Sequence, residues 1–263
     1  MNRKLLFVCL CAITILLSSC GTSKNTLVYQ SDSAPKREFR GAWIQTVGQS
    51  RYSQMNSAAM KHYLSEMVRK LDEAGVNAVI FQIRPEADAF YKSDLEPWSR
   101  FLTGQQGKAP DDPEFDPLAF IIEECHKRGM ELHAWLNPYR VKTNITNSLA
   151  NNHIFYRYPE RFVQYGNQLF FDPGLPENRT FICEVVRDIV TRYDVDAIHM
   201  DDYFYPDDVT EEFDFEIYTE RCLNICSLSR FRKDNVNNLV ALINKEVKKA
   251  GLVYGISPSG NMS

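Results

Sequence analysis

YDVDAIHMDDYFYP, running from Tyr193 to Pro206, joins a short apolar segment to two consecutive acids and a cluster of aromatics. Asp196 to Met200 has the length and composition of a β-strand. Side chains along a strand alternate between faces, so Ile198 and Met200 pack one way while His199 and Asp201 point the other. Asp202, Tyr203, Phe204, Tyr205 and Pro206 then open a loop. An aspartate facing inward at the C-terminal end of a strand has few structural uses. It is where a parallel barrel places its chemistry.

The same pattern recurs along the chain. Phe39 to Thr46, Val76 to Ile83, Met130 to Leu136 and Leu252 to Ser257 also read as strands. Helical periodicity fills the intervals at Ser57 to Ala74, Pro117 to Arg128, Glu177 to Tyr193 and Asp234 to Ala250, and Gly75, Gly129 and Gly251 stand where helix caps are expected. Alternating strands and helices make this an α/β chain with a parallel sheet. No glycine-rich phosphate loop follows any strand, and the post-strand segments are long, polar and aromatic, which favours a TIM-type (β/α)8 barrel over a doubly wound sheet. Five β/α units are visible where a barrel needs about eight, so the expectation is a barrel truncated after about five units. Strand parity sends Gln82, Arg84 and Glu86, then His133, Trp135 and Asn137, then His199 and Asp201, and finally Gly255 and Ser257 toward one mouth.

The N-terminus carries a different signal. Asn2, Arg3 and Lys4 precede an apolar run from Leu5 to Leu17, the layout of a secretion signal over residues 1–19. That run is too short to span a bilayer comfortably. Leu17-Ser18-Ser19-Cys20 resembles a bacterial lipobox, which makes Cys20 the expected lipidated first residue of the mature chain. Residues 20–36 then form a polar tether and 37–263 the barrel domain. The lack of acids just after Cys20 favours retention on the periplasm-facing membrane of the cell envelope. A formal net charge of -4 without any basic run argues against a nucleic-acid partner. Cys125, Cys183, Cys222 and Cys226 lie beyond the signal and allow one or two disulfides in an oxidising compartment. None has metal-site spacing, so neither a structural metal nor a cofactor is expected.

Glycoside hydrolysis needs two carboxyl groups, one a proton donor and the other a nucleophile or base. Asp201 is the first choice for nucleophile or base, Asp202 the fallback, and Glu86 the candidate acid. Arg84 is positioned to keep a carboxylate ionised, and Trp43, Trp98, Trp135, Tyr139, Tyr203 and Tyr205 to contact sugar rings. His133, Asn137 and His199 complete the candidate substrate-binding set. The motifs FRGAWI (39–44), FQIRPEADAFYKSDLEPWSRFLTGQQGKAPDDPEFDPLAF (81–120), HKRGMELHAWLNPYRV (126–141), FDPGLPENR (171–179), YDVDAIHMDDYFYP (193–206), FRKDNVNNLV (231–240) and YGISPSG (254–260) resemble those of the glycosyl hydrolase-like 10 family. That resemblance implies a TIM-type barrel, O-glycosyl hydrolysis and, for some members, peptide-free peptidoglycan glycan as substrate. It carries Asp201 and Asp202 over as candidates through HMDDYFYP, and the acid with less support. Two other readings use the same residues: a glycan-binding barrel without turnover, and a metal-dependent polysaccharide deacetylase. The latter would need His133, His199, Asp201 and Asp202 as ligands, yet no HxH or HExxH spacing is present.

Cys20→Ser is expected to abolish labelled palmitate incorporation when the full chain is expressed in a bacterial host. Undiminished labelling would refute lipidation at that thiol.

Overall fold

The computed structural model describes residues 38–201, 204–206 and 208–258. The elements in chain order are β1 (Gly41–Ile44), α1 (Ser50–Ser53), α2 (Ser57–Glu73), β2 (Ala78–Arg84), α3 (Arg100–Thr103), α4 (Pro117–His126), β3 (Glu131–Leu136), β4 (Arg140–Lys142), β5 (Phe162–Tyr165), β6 (Gln168–Phe171), α5 (Pro176–Arg192), β7 (Ala197–Met200), α6 (Phe215–Arg221), α7 (Leu228–Lys249) and β8 (Val253–Ile256). The five expected strands form one sheet in the order β1-β2-β3-β7-β8, every neighbouring pair parallel.

Local chemistry accounts for the helix boundaries. Asn56 caps α2 by accepting from Ala59 N, and Asp116 caps α4 with Pro117 at the first helical position. Gly75, Gly129 and Gly251 adopt φ of 81°, 68° and 76° just past three helix ends, the left-handed turn that glycine makes without a Cβ clash. The helices cover the outer face of the sheet. There Val79, Phe81, Leu132, Ile198 and Met200 are buried with Leu64, Ile121, Val186 and Leu239 from the helices. Each such side chain contributes about 1.5–3 kcal/mol. On the opposite face, the Trp43 and His199 rings lie 4.6 Å apart although β2 and β3 separate their strands. Side chains perpendicular to a flat sheet would stay about 14 Å apart across three strand spacings. The sheet is therefore rolled, with that face concave.

A second sheet lies within the β3 to α5 connection. It is antiparallel, in the order β4-β6-β5, and its β5–β6 hairpin turns at Gly166-Asn167 with Gly166 at φ 54°. A glycine-asparagine pair between two alternating segments is a hairpin signature. Tyr165, at the end of β5, donates to Asp208 O and accepts from Thr210 N, which ties the hairpin to the loop after β7. Cys222 and Cys226 form a disulfide at the end of α6, while Cys125 and Cys183 are buried free thiols.

Strand parity holds along β3 and β7 but fails at the end of β2. A register shift between Gln82 and Arg84 places Gln82 opposite Trp135 and Arg84 opposite Leu136. Leu136 belongs to the outer core, so the bulge turns Arg84 away from the concave face. The expectation of Arg84 in the mouth is thus corrected. Its guanidinium is fully buried against Glu96, with Nε to Oε2 at 2.7 Å and Nη2 to Oε1 at 2.5 Å, and its Nη1 donates to the Asn137 and Pro138 carbonyls. Beyond the bulge Ala87 sits at φ 50°, strained for a residue with a Cβ. Asp88 fastens this turn by accepting from Glu86 N at 3.2 Å and Gln106 Nε2 at 3.1 Å.

Removing one partner of a buried ion pair strands the other, so Glu96→Ala is expected to cost about 3–5 kcal/mol of stability, read as a lower urea midpoint. Burial, and then the nearby Glu86 charge, raise the Asp88 carboxyl from 3.8 to about 7. The native state therefore holds this proton more tightly than the unfolded chain, and stability falls as pH rises through that interval. In Asp88→Asn that loss is removed, so the unfolding free energy of the variant relative to wild type should rise between pH 3.8 and about 7. A difference that stays flat in urea titrations across this range would contradict the assignment.

Candidate active site

Asp201 ends β7 on the concave face with only 9% of its surface exposed. Its Oδ2 accepts from Trp135 Nε1 at 3.2 Å and from Asn137 Nδ2 at 2.5 Å. The amide of Asn137 has a forced orientation, because its Oδ1 accepts from Gln82 Nε2 and from Arg140 Nη2 at 2.6 Å. Gln82 is fixed in turn, its Oε1 accepting from the backbone of Thr46 and Val47, both at 2.8 Å. A directed chain of hydrogen bonds thus runs from the loop after β1, through β2 and β3, to the carboxylate on β7. Donors aimed at both ends of the chain hold Asp201 as an acceptor.

Beneath Asp201 the concave face is a layer of rings. Trp43 meets Trp135 edge-on at 4.8 Å, Phe39 stacks on His133 at 5.4 Å, and His133 stacks on His199 at 6.0 Å. Gly255 permits this arrangement, since a Cβ there would lie 2.6 Å from the His199 ring. His199 bonds Ser257 Oγ through Nε2, and burial together with His133 lowers its pKa to about 4, leaving it neutral at physiological pH. Trp43, edge-on to the Trp135 that donates to Asp201, is 40% exposed. His133 Nε2 contacts Glu131, so the two histidine rings present their Nε2 atoms to different partners. Among the described residues no group of three or more His, Cys, Asp or Glu side chains is arranged to hold a metal ion.

Glu86 lies on a different branch of the site. Its carboxylate accepts from Arg100 Nε at 2.6 Å, Arg100 Nη2 at 3.1 Å and Thr143 N at 2.6 Å. Both oxygens are occupied, an arrangement better suited to orienting Arg100 than to delivering a proton. Tyr139 is completely buried in the hydrophobic core and cannot meet a sugar, which corrects the expectation that it would. Trp98 is half-buried and packs against that core. Tyr205 stands against Phe213 and under the Arg232 guanidinium. Asp202, Tyr203 and Cys20 lie outside the described residues.

Strand parity thus brings Gln82, His133, Trp135, Asn137, His199, Asp201 and Ser257 to one face. It does not reach Thr46 and Thr143, which enter from loops, nor Arg100 at the start of α3 and Arg140 at the start of β4. The sequence signal for Arg140 was its position three residues past Asn137 in NPYR; nothing comparable marked Arg100.

The chain is 42% identical over 252 residues to glycosyl hydrolase YngK of Bacillus subtilis, covering 91% of this chain and 48% of that protein. It is 32% identical over 286 residues to glycosyl hydrolase DigH of Escherichia coli, covering 95% of this chain and 64% of that one. It therefore spans about half to two-thirds of the length of these relatives. Among solved structures, a chitobiase from Flavobacterium johnsoniae superposes with a TM-score of 0.53 at 12% identity, over 84% of this chain and 32% of the other. An α-L-fucosidase from Paenibacillus thiaminolyticus gives 0.52 at 15% identity, over 84% and 32%. At such identities the likeness is one of fold, a parallel sheet and helices as in glycosidases of the TIM-barrel type. The glycosyl hydrolase-like 10 family matches residues 38–263, and with that match over the whole described region the chain belongs to this family.

Proposed function

We propose that this chain carries the carboxylate and aromatic wall of a glycoside hydrolase that cleaves O-glycosyl bonds in a polysaccharide, the glycan strands of peptidoglycan. The observation that carries the reading is the Asp201 carboxylate at the mouth of a rolled parallel sheet, fixed by Trp135 and Asn137 beside an exposed Trp43. An anion in that place stabilises positive charge developing at an anomeric carbon, attacks it, or activates the water that does. Trp43 supplies an apolar face for a sugar ring. In this reading Asp201 is the nucleophile or base. Asp202 is the neighbouring carboxyl, and Glu86 holds Arg100 in place. Family membership and two relatives bearing the name glycosyl hydrolase support the reaction class. The lipobox-like segment ending at Cys20 supports an envelope location, anchored by lipid and facing the periplasm, where that polymer lies.

Asp201→Asn keeps the shape of the site and removes the charge. With peptide-free glycan strands as substrate, the variant is expected to release reducing ends about 10³-fold more slowly than wild type while still sedimenting with the strands. Equal rates would refute the assignment. Binding by wild type without any release of reducing ends would identify a glycan-binding protein instead.

A further inference from the structure

The loops after β1, β2 and β3 enclose a cleft of about 590 Å³ whose lining includes Gln45, Ser50, Arg100, Phe101, Arg140 and Thr143. It is continuous with the carboxylate network, because Arg140 donates to the same Asn137 oxygen whose amide nitrogen holds Asp201. Arg100 is held in a single pose. Glu86 takes its Nε and Nη2, Thr143 Oγ1 accepts a second bond from Nη2 at 3.0 Å, and its guanidinium lies 4.0 Å over the Phe101 ring. Its Nη1 donates to none of the described residues, and 25% of its side chain is exposed where it lines the cleft. Lys142 is close enough to sense the Glu86 charge, and Arg140 lines the same cleft. A neutral sugar has hydroxyls that water or an amide would satisfy equally well. A rigid, stacked guanidinium with its Nη1 unspent, in a cleft that Arg140 also lines, can give a charge-assisted hydrogen bond to an anion.

We propose that this cleft is a subsite for a carboxylate carried on a sugar unit of the glycan, and that Arg100 is the residue that selects for it. The proposal rests on the glycan reading of Asp201 and deepens it: the chain prefers acidic glycan units over neutral ones. Glu86 and Phe101 serve this preference by fixing the guanidinium before the ligand arrives, so little orientational freedom is lost on binding.

The test uses peptide-free glycan oligosaccharides with free carboxylates and the same oligosaccharides after conversion of each carboxylate to its methylamide. Affinity is measured by calorimetry with the full chain carrying Asp201→Asn, so that binding is read apart from turnover. The expected preference for the free acid is about tenfold, and it should weaken as salt is raised. Adding Arg100→Gln should reduce the acid-to-amide ratio to near one, while Arg100→Lys should restore part of it; near-wild-type melting temperatures establish that each variant is folded. If Arg100→Gln does not fold, Phe101→Ala, which loosens the guanidinium without removing it, should lower the same ratio. Equal affinity for acid and amide in the Asp201→Asn chain, or binding of neither, overturns the proposal. A preserved acid preference in a chain whose parent releases no reducing ends overturns the hydrolase reading and leaves this one standing.

Discussion

One side-chain amide holds the site together. Asn137 accepts from Gln82 and Arg140 on one side and donates to Asp201 on the other. Because the acceptor side is saturated by two donors, the amide cannot flip without creating donor-to-donor clashes, and its nitrogen must face the carboxylate. The strands supply rigidity, but this amide supplies direction. It converts a parallel sheet, whose backbone bonds are indifferent to chemistry, into a frame in which three strands and two loops agree on the location of one negative charge.

The frame depends on a division of the sheet into two unlike faces. The outer face is aliphatic and closed by helices. The concave face holds rings and amides, packed so closely that position 255 has no room for a side chain beyond hydrogen. The β2 bulge marks the boundary between these regimes. Before it, Gln82 faces the site; after it, Arg84 is a buried staple for Glu96 and for the carbonyls of Asn137 and Pro138, positioning the very segment that carries the central amide. Arg84 thus acts on the site from behind.

Much of this was legible from residue order because period-two and period-3.6 patterns report directly on burial. The five strands, the helices covering them and the inward positions of Gln82, Trp135, Asn137 and Asp201 all follow from it. Arg84 was misread for a definite reason: parity propagates only along unbroken strands, and a bulge is invisible to it. The β4-β6-β5 sheet was legible in principle through Gly166-Asn167. Arg100 was not, since its place beside Glu86 is set by a long connection whose path depends on packing between segments far apart in sequence.

The cysteines show how the same packing governs reactivity. Burial pushes the Cys125 thiol up to about 12 and raises Cys183 as well. Thiol–disulfide exchange proceeds through the thiolate, so both are silenced once the helices close over them. Cys222 and Cys226, in contrast, close a loop local enough to form without waiting for the sheet. Among the described residues, an oxidant therefore finds one cysteine pair already oxidised and the other two thiols buried. The hydrophobic core doubles as the protein's redox insulation.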